Sequence, residues 1–395
     1  MKVFLFDLMH YKVDLDPFKI DGELPTPLGK RYFDPKAAVE TFAEHLDAWA
    51  EMERVGFDGI AVNEHHATPY GLMNSPNLLV AAAAQRTSRM KILTYGNLLP
   101  LHNPLRLAEE LAMLDCMSTG RLIAGLARGV PREYRIYDIP PGESRARFDE
   151  GFEIMRRAWT DEVFSYEGQF YKYPEISLWP RPVQQPHPPI WVPVTGSKES
   201  IEWAARVDAC ITPGITRGVV REDMIRYYAQ QQALHGRKVT PDKLNFMADA
   251  YVADSKAQAV KEYGAHYAYF FNTLMAYDHQ KKDTGAGYYS KDAHSHLRQG
   301  AKGTFAERPT SNREPIALDQ VAQMAEGLAW GTPDEVAEKI IAEADEAGMD
   351  TVMLVCNRGS LPQEMFLNQI RRLGEEVLPR LHAHKVKRVP AAEGL

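Results

Sequence analysis

The 395-residue chain holds only three cysteines, Cys116, Cys210 and Cys356, far apart and without a CxxC pair. A disulfide framework or a zinc cage needs more thiols at closer spacing, so neither is expected, and a reducing cytoplasm suits the chain best. No run approaches the length of apolar sequence that spans a bilayer, and the N-terminus reaches Asp7 after a short apolar run. Neither a membrane segment nor a signal peptide is therefore expected. Basic charge is not in excess either: 46 Lys plus Arg face 53 Asp plus Glu, a net charge of -7. That balance argues against a protein that tracks nucleic-acid phosphates. GxGxxG, GxxxxGK[ST], GxSxG and HExxH are all missing, which removes the usual signatures of dinucleotide folds, P-loops, serine hydrolases and zinc peptidases.

What is present is a large apolar reserve, 45% hydrophobic and 10% aromatic residues, enough for a sizeable core. Val3 to Phe6 reads as a strand buried on both faces, the kind found in parallel sheets. Met9 to Asp34, broken by prolines and glycines, reads as an insertion. From Pro35 the chain alternates. Strands are expected near 59–62, 91–95, 121–127, 189–194, 209–212, 246–252 and 351–356. Helices are expected at 35–55, 76–85, 104–117, 143–159, 198–206, 219–235, 255–274, 318–328, 333–348 and 363–378, with a hairpin at 163–173. Residues 276–314, with seven Lys or Arg and few aliphatics, read as a lid or disordered insertion. Eight strands, each followed by a helix, predict an α/β fold of the (β/α)8 TIM barrel type as a single domain over 1–395, with insertions at 9–34 and 276–314. A doubly wound sheet is the competing arrangement.

In a barrel, chemistry gathers where strands end at their C-terminal side. Asn63-Glu64-His65-His66 ends the second strand, and a histidine there could serve as acid or base. A polar strand end with one histidine paired to Glu64 explains the same residues. Adjacent strand residues face opposite ways, so His65 and His66 are poor joint metal ligands, and no metal site is expected. Arg128 follows the fourth strand. Gly196, Ser197 and Ser200 precede a helix whose N-terminal amides and hydroxyls could hold a phosphate, or could simply cap it. Tyr95-Gly96-Asn97 places a glycine at a strand end, as a ligand contact or a plain turn.

Several stretches in series resemble the bacterial luciferase-like flavin monooxygenases: Gly56-Phe-Asp-Gly-Ile60, Glu64-His-His66, Asn77 to Ala84, Leu99-Pro-Leu-His-Asn-Pro104, Leu114 to Arg121 and Ala127-Arg-Gly129. Ser144-Arg-Ala-Arg147, Glu202-Trp-Ala-Ala205, Gly331-Thr-Pro333 and Gly348-Met-Asp350 extend the likeness over nearly the whole chain. The resemblance implies the barrel fold and a monooxygenase that uses reduced FMN and O2, through a C4a-hydroperoxide, on a small organic substrate. It places the catalytic histidine on His65, with His66 beside it. Arg128 and the loop of Gly196, Ser197 and Ser200 become phosphate contacts, and Tyr95-Gly96-Asn97 becomes the flavin-side strand end, which in the family often has a non-proline cis peptide.

Two departures accompany the likeness. Ala127 stands where true luciferases have a reactive cysteine, and 9–34 is longer than in luciferase, which reshapes the substrate mouth. Lacking a dinucleotide fingerprint, the chain is expected to receive FMNH2 from a separate NAD(P)H-dependent flavin reductase. A homodimer through the helices near 37–55 and 78–85 is also expected. A deazaflavin (F420)-dependent oxidoreductase of the same fold and a non-catalytic flavin binder are the alternatives.

Overall fold

The computed structural model describes residues 1–213, 217–278, 287–298 and 315–394, so much of the expected insertion at 276–314 lies outside the described residues. In chain order the strands are β1 (Lys2–Asp7), β2 (Gly59–Val62), β3 (Lys91–Leu98), β4 (Leu122–Ala127), a hairpin of β5 (Phe164–Glu167) and β6 (Lys172–Ile176), then β7 (Ile190–Pro193), β8 (Cys210–Thr212), β9 (Asn245–Val252), β10 (Ala329–Gly331) and β11 (Thr351–Val355). The eight runs read as strands all become strands. The reason is visible in β2 and β11, where every residue is buried because helices cover one side of the sheet and side chains fill the other.

Nine of these strands form one curled sheet in the order β10-β9-β11-β1-β2-β3-β4-β7-β8, with every pairing parallel. Two points correct the expectation of eight strands in a closed ring. The first is β10, a ninth strand just beyond the stretch read as helix over 318–328; the helix there is shorter, Leu318–Ala325. The second is closure: β8 meets the chain at β9 only through a bridge of Ile211 to Leu244, so a complete closed barrel is not seen. The sheet is an α/β half-barrel with its two ends brought close. The competing doubly wound order is excluded by this succession of neighbours.

Local signals position the helices. Asp34 accepts hydrogen bonds from the amides of Lys36 and Ala37 and opens Pro35–Val55, which Gly56 ends at φ +100°. Asn103 caps Pro104–Met117, and Thr332 with Glu335 forms the capping box of Pro333–Ala347. Not foreseen were the short helix Pro131–Ile136 after β4 and the π-helical turn Phe270–Met275 that ends the helix Lys256–Tyr269. Residues 9–34 are irregular as expected and pack on that turn: the amides of Leu15 and Leu28 donate to the hydroxyls of Tyr269 and Tyr277 at 3.0 and 2.9 Å.

Candidate active site

The C-terminal ends of β1 to β4 and β7 converge on one cavity of about 270 Å3. Asn63, Glu64 and His65 reach its wall from the end of β2, Tyr95 and Gly96 from β3, Ala127 and Arg128 from β4, and Ser197 and Ser200 from the start of the helix Lys198–Arg206 that follows β7. The peptide between Tyr95 and Gly96 is cis. A side chain at Gly96 could not fit without displacing β4, because a Cβ there would stand 3.2 Å from the Ala127 backbone nitrogen. His66, Asn97 and Gly196 belong to the same loops but do not line the cavity.

One end of the cavity is cationic. Arg128 and Arg145 both line it, and the Arg145 guanidinium donates to Ser200 Oγ at 2.6 Å. Burial, together with the nearby Arg128 charge, lowers the Arg145 pKa to about 10. Its Nε is buried without a hydrogen-bond partner, and the Asp149 carboxylate stands 3.8 Å from the guanidinium. Arg128 donates to the Tyr288 carbonyl at 3.2 Å and lies 4.1 Å from that ring's centre. Two like charges are thus held together beside two serine hydroxyls. Asp149 offsets this only in part, and a further anion there would be favourable, which fits a phosphate monoester.

The described part of the later insertion, 287–298, docks on this end. Tyr288 donates to the Gly129 carbonyl at 2.7 Å, the Lys198 amide donates to Ala293 at 2.7 Å, and Lys198 pairs with Asp292.

The other end carries histidines and carboxylates that are mostly spent on one another. Glu64 is 1% exposed. It pairs with His66 at 2.8 Å and His102 at 2.9 Å and accepts the Leu98 amide at 3.0 Å. Burial opposes its ionisation, yet these partners hold its pKa down at about 2. His66 has its other ring nitrogen 2.9 Å from the Tyr137 hydroxyl, so both its nitrogens are engaged. His65 differs. It pairs through Nδ1 with Glu133 at 3.0 Å, stacks edge-on against Tyr70 at 5.0 Å and lines the cavity. Beside it both side-chain atoms of Asn63 are buried without a hydrogen-bond partner, as are those of Asn97. Unpaired buried amides cost on the order of 1–3 kcal/mol each. Asn63 lines the cavity, so a heterocycle with donors and acceptors would relieve that cost there.

Asp7, at the end of β1, is instead structural. Burial would raise its pKa, but His45, the Met9 amide and Trp49 hold it down, and Asn357 donates to it at 2.8 Å. Among the described residues no group of three or more His, Cys, Asp or Glu could hold a metal ion.

Residues 17–351 match the family described as luciferase-like monooxygenase. The chain belongs to that family. The oxygenase component of a flavin-dependent trigonelline monooxygenase from Acinetobacter baylyi is 27% identical over 251 residues, 61% of this chain and 68% of that one. An uncharacterized Sinorhizobium fredii protein is 36% identical over 184 residues, and the chain spans about half of it, 54%. Among solved structures, the monooxygenase RslO1 from Streptomyces bottropensis is 27% identical with a TM-score of 0.73, over 97% of this chain and all of that one. The fold is shared, at 18% and 14% identity, by the FMN complex of 3,6-diketocamphane monooxygenase from Pseudomonas putida and by an F420-dependent secondary alcohol dehydrogenase, with TM-scores of 0.73 and 0.64. They cover 98% and 96% of this chain and 100% and 98% of theirs. This luciferase-like protein is a flavin-dependent monooxygenase and an oxidoreductase.

The sequence missed Arg145, Glu133 and Asn63 as site residues. Arg145 had left a signal. Arginines at 145 and 147 stand in the first turn of the helix Ser144–Thr160, where the helix dipole disfavours cations unless an anion faces them. Glu133 lay in a helix too short to read from periodicity.

Proposed function

We propose that this chain is the oxygenase half of a two-component system, taking FMNH2 from a separate NAD(P)H-dependent reductase and using O2 to oxygenate a small organic substrate. The observation that carries the reading is the division of the cavity between an end lined by two neighbouring arginines, one with a buried unpartnered Nε, and a histidine-lined end with an unpartnered amide. Arg128, Arg145, Ser197 and Ser200 would hold the FMN phosphate. The Tyr95-Gly96-Asn97 strand end and Asn63 would meet the ring system. Reduced FMN, when bound, supplies the electrons with which O2 is activated. His65 is the side chain placed to take or give a proton there, while Phe6, Tyr70, Met247 and Met275 keep that end of the wall apolar and exclude water.

FMN is preferred over a deazaflavin because two arginines meet one short phosphate arm, and because the relatives' names point to flavin oxygenation. We further read the chain as one domain, and as a homodimer through the helices Pro35–Val55 and Pro76–Arg86, which expose Val39 and Leu78. Its three unpaired cysteines suit the cytoplasm. No helix among the described residues is long and apolar enough to cross a membrane. The test is to supply FMNH2 from a reductase and follow oxygen uptake and product over a panel of small organic substrates. Binding of deazaflavin but not FMN, followed by absorbance, would overturn the cofactor, and flavin binding with no substrate-dependent oxygen uptake would mark a non-catalytic relative.

A further inference from the structure

We infer that Glu133 is the positioning residue for His65, fixing the imidazole as its Nδ1–H tautomer so that Nε2 is the proton-accepting atom. The inference rests on the reading of His65 as the acid or base of the site. Glu133 comes from the helix Pro131–Ile136, which follows the Arg128 loop, and is only 1% exposed. Its Oε2 accepts the Val130 amide at 2.8 Å and its Oε1 lies 3.0 Å from His65 Nδ1. An ionised carboxylate only accepts hydrogen bonds, so the proton of this pair must sit on Nδ1. The lone pair is then on Nε2.

The same carboxylate favours the charged imidazole once a proton reaches Nε2, as an opposite charge within a few ångströms does. Among the described residues, the other groups near His65 make contacts of their own. Glu64, next to it in the chain, is bound to His66 and His102. Arg132 donates to the carbonyls of His66 and Ala67, and Asn74 donates at 2.8 Å to the carbonyl of His65. Tyr70 presents its ring edge-on, and Arg128 is engaged with Tyr288. Among the described residues, Glu133 is the carboxylate paired with this histidine, and that pairing orients the ring and favours its charged form. The tie to the Val130 amide seats it at the helix start.

The experiment is nitrogen-15 NMR of histidine-labelled full-length protein with and without FMN, using His65→Gln to assign the signal. The expected result is a neutral His65 protonated at Nδ1, with a pKa at least about one pH unit higher than in Glu133→Gln. Glu133→Gln can still accept the Nδ1 hydrogen bond. It should keep its melting temperature and its KM for FMNH2 while kcat falls about tenfold and the acid limb of the rate profile moves to lower pH. A proton on Nε2 in the wild type, or a His65 pKa unchanged in Glu133→Gln, overturns the inference. Should Glu133→Gln fail to fold, the wild-type tautomer decides alone, Nδ1–H supporting the inference and Nε2–H ending it. Undiminished product formation by His65→Gln would instead overturn the role of His65 while the tautomer result stood, so the two failures are distinguishable.

Discussion

The two ends of the cavity solve opposite electrostatic problems. At the arginine end, burial and the neighbouring Arg128 charge lower the proton affinity of Arg145, which retains a buried unpartnered Nε. At the histidine end Glu64 is bound by two histidines and an amide, and His66 is tied at both nitrogens. The first end holds two arginines against one carboxylate at 3.8 Å, which leaves positive charge for a ligand to neutralise. The second is neutralised internally, leaving His65 on the wall with its own carboxylate behind it. The difference separates binding from chemistry: charge that waits for a partner binds, and a titratable group held by fixed neighbours reacts.

The sharpest way to break that division is to remove the reacting group. His65→Ala should lower product formation by roughly a hundredfold or more while leaving FMN affinity near the wild-type value, since no step of binding uses it. Stopped-flow product yields with FMNH2 and isothermal titration with FMN check the two halves separately. Affinity falling in step with rate would show that the ends are one unit. His66→Ala costing more activity than His65→Ala would move the chemistry to the neighbouring ring.

The complementary test attacks the arginine end. Arg145→Ala and Arg128→Ala should each weaken FMN by about 1.5 to 3 kcal/mol, the scale of a charge-assisted hydrogen bond, with riboflavin affinity unchanged. A loss shared equally by riboflavin would place the phosphate elsewhere. The turnover of saturated enzyme should change less than the affinity does.

The internal neutralisation has a pH signature. Glu64 binds its proton more weakly in the folded chain, with a pKa of about 2 against 4.5 when free. The stability it contributes is therefore full above about pH 4.5 and is lost as the pH falls towards 2. The gap is worth on the order of 3 kcal/mol. His102 is the mirror image. Burial alone would lower its pKa, but Glu64 raises it, so its share is present below about pH 6.5 and fades as the pH rises through the raised value. Glu64→Gln should melt well below the wild type at pH 6, and the difference should shrink steadily below pH 4.5. A difference constant from pH 6 to pH 3 would mean that packing and not charge accounts for Glu64.

Much of this architecture could be read from the chain because its signals are local. Buried apolar runs gave the parallel strands, and Asp34, Asn103 and Thr332 announced their helices by capping chemistry that acts within one turn. What escaped depends on distance. β10 is a short strand recruited by β9, and its sequence alone does not distinguish it from the end of a helix. Arg145 became a site residue only when the helix start at residue 144 was brought beside Arg128 and Ser200. His65 and His66 are equivalent in sequence, and their roles diverge because Glu64 and Tyr137 engage one and Glu133 the other. Periodicity tells which residues face inward, whereas the partner each one meets is set by chain segments tens of residues away.

The smallest effect on chemistry is expected from the surface that lies outside the cavity altogether. On the helices Pro35–Val55 and Pro76–Arg86, Val39 and Leu78 are 69% and 74% exposed and Phe42 37%, an amount of apolar surface that a dimer interface would bury. Light scattering of the wild type at micromolar concentration should give the mass of two chains. Leu78→Glu combined with Val39→Glu should give one chain, because a carboxylate buried against its symmetry mate is unpaired. Neither residue touches the cavity wall, so FMN affinity and the tautomer of His65 should survive in the monomer. If they do, binding and chemistry are both complete within one chain. If FMN affinity collapses with the dimer, the arginine end depends on the assembly and the separation drawn between the two ends is incomplete, while a wild type that is already monomeric would remove this interface from the account.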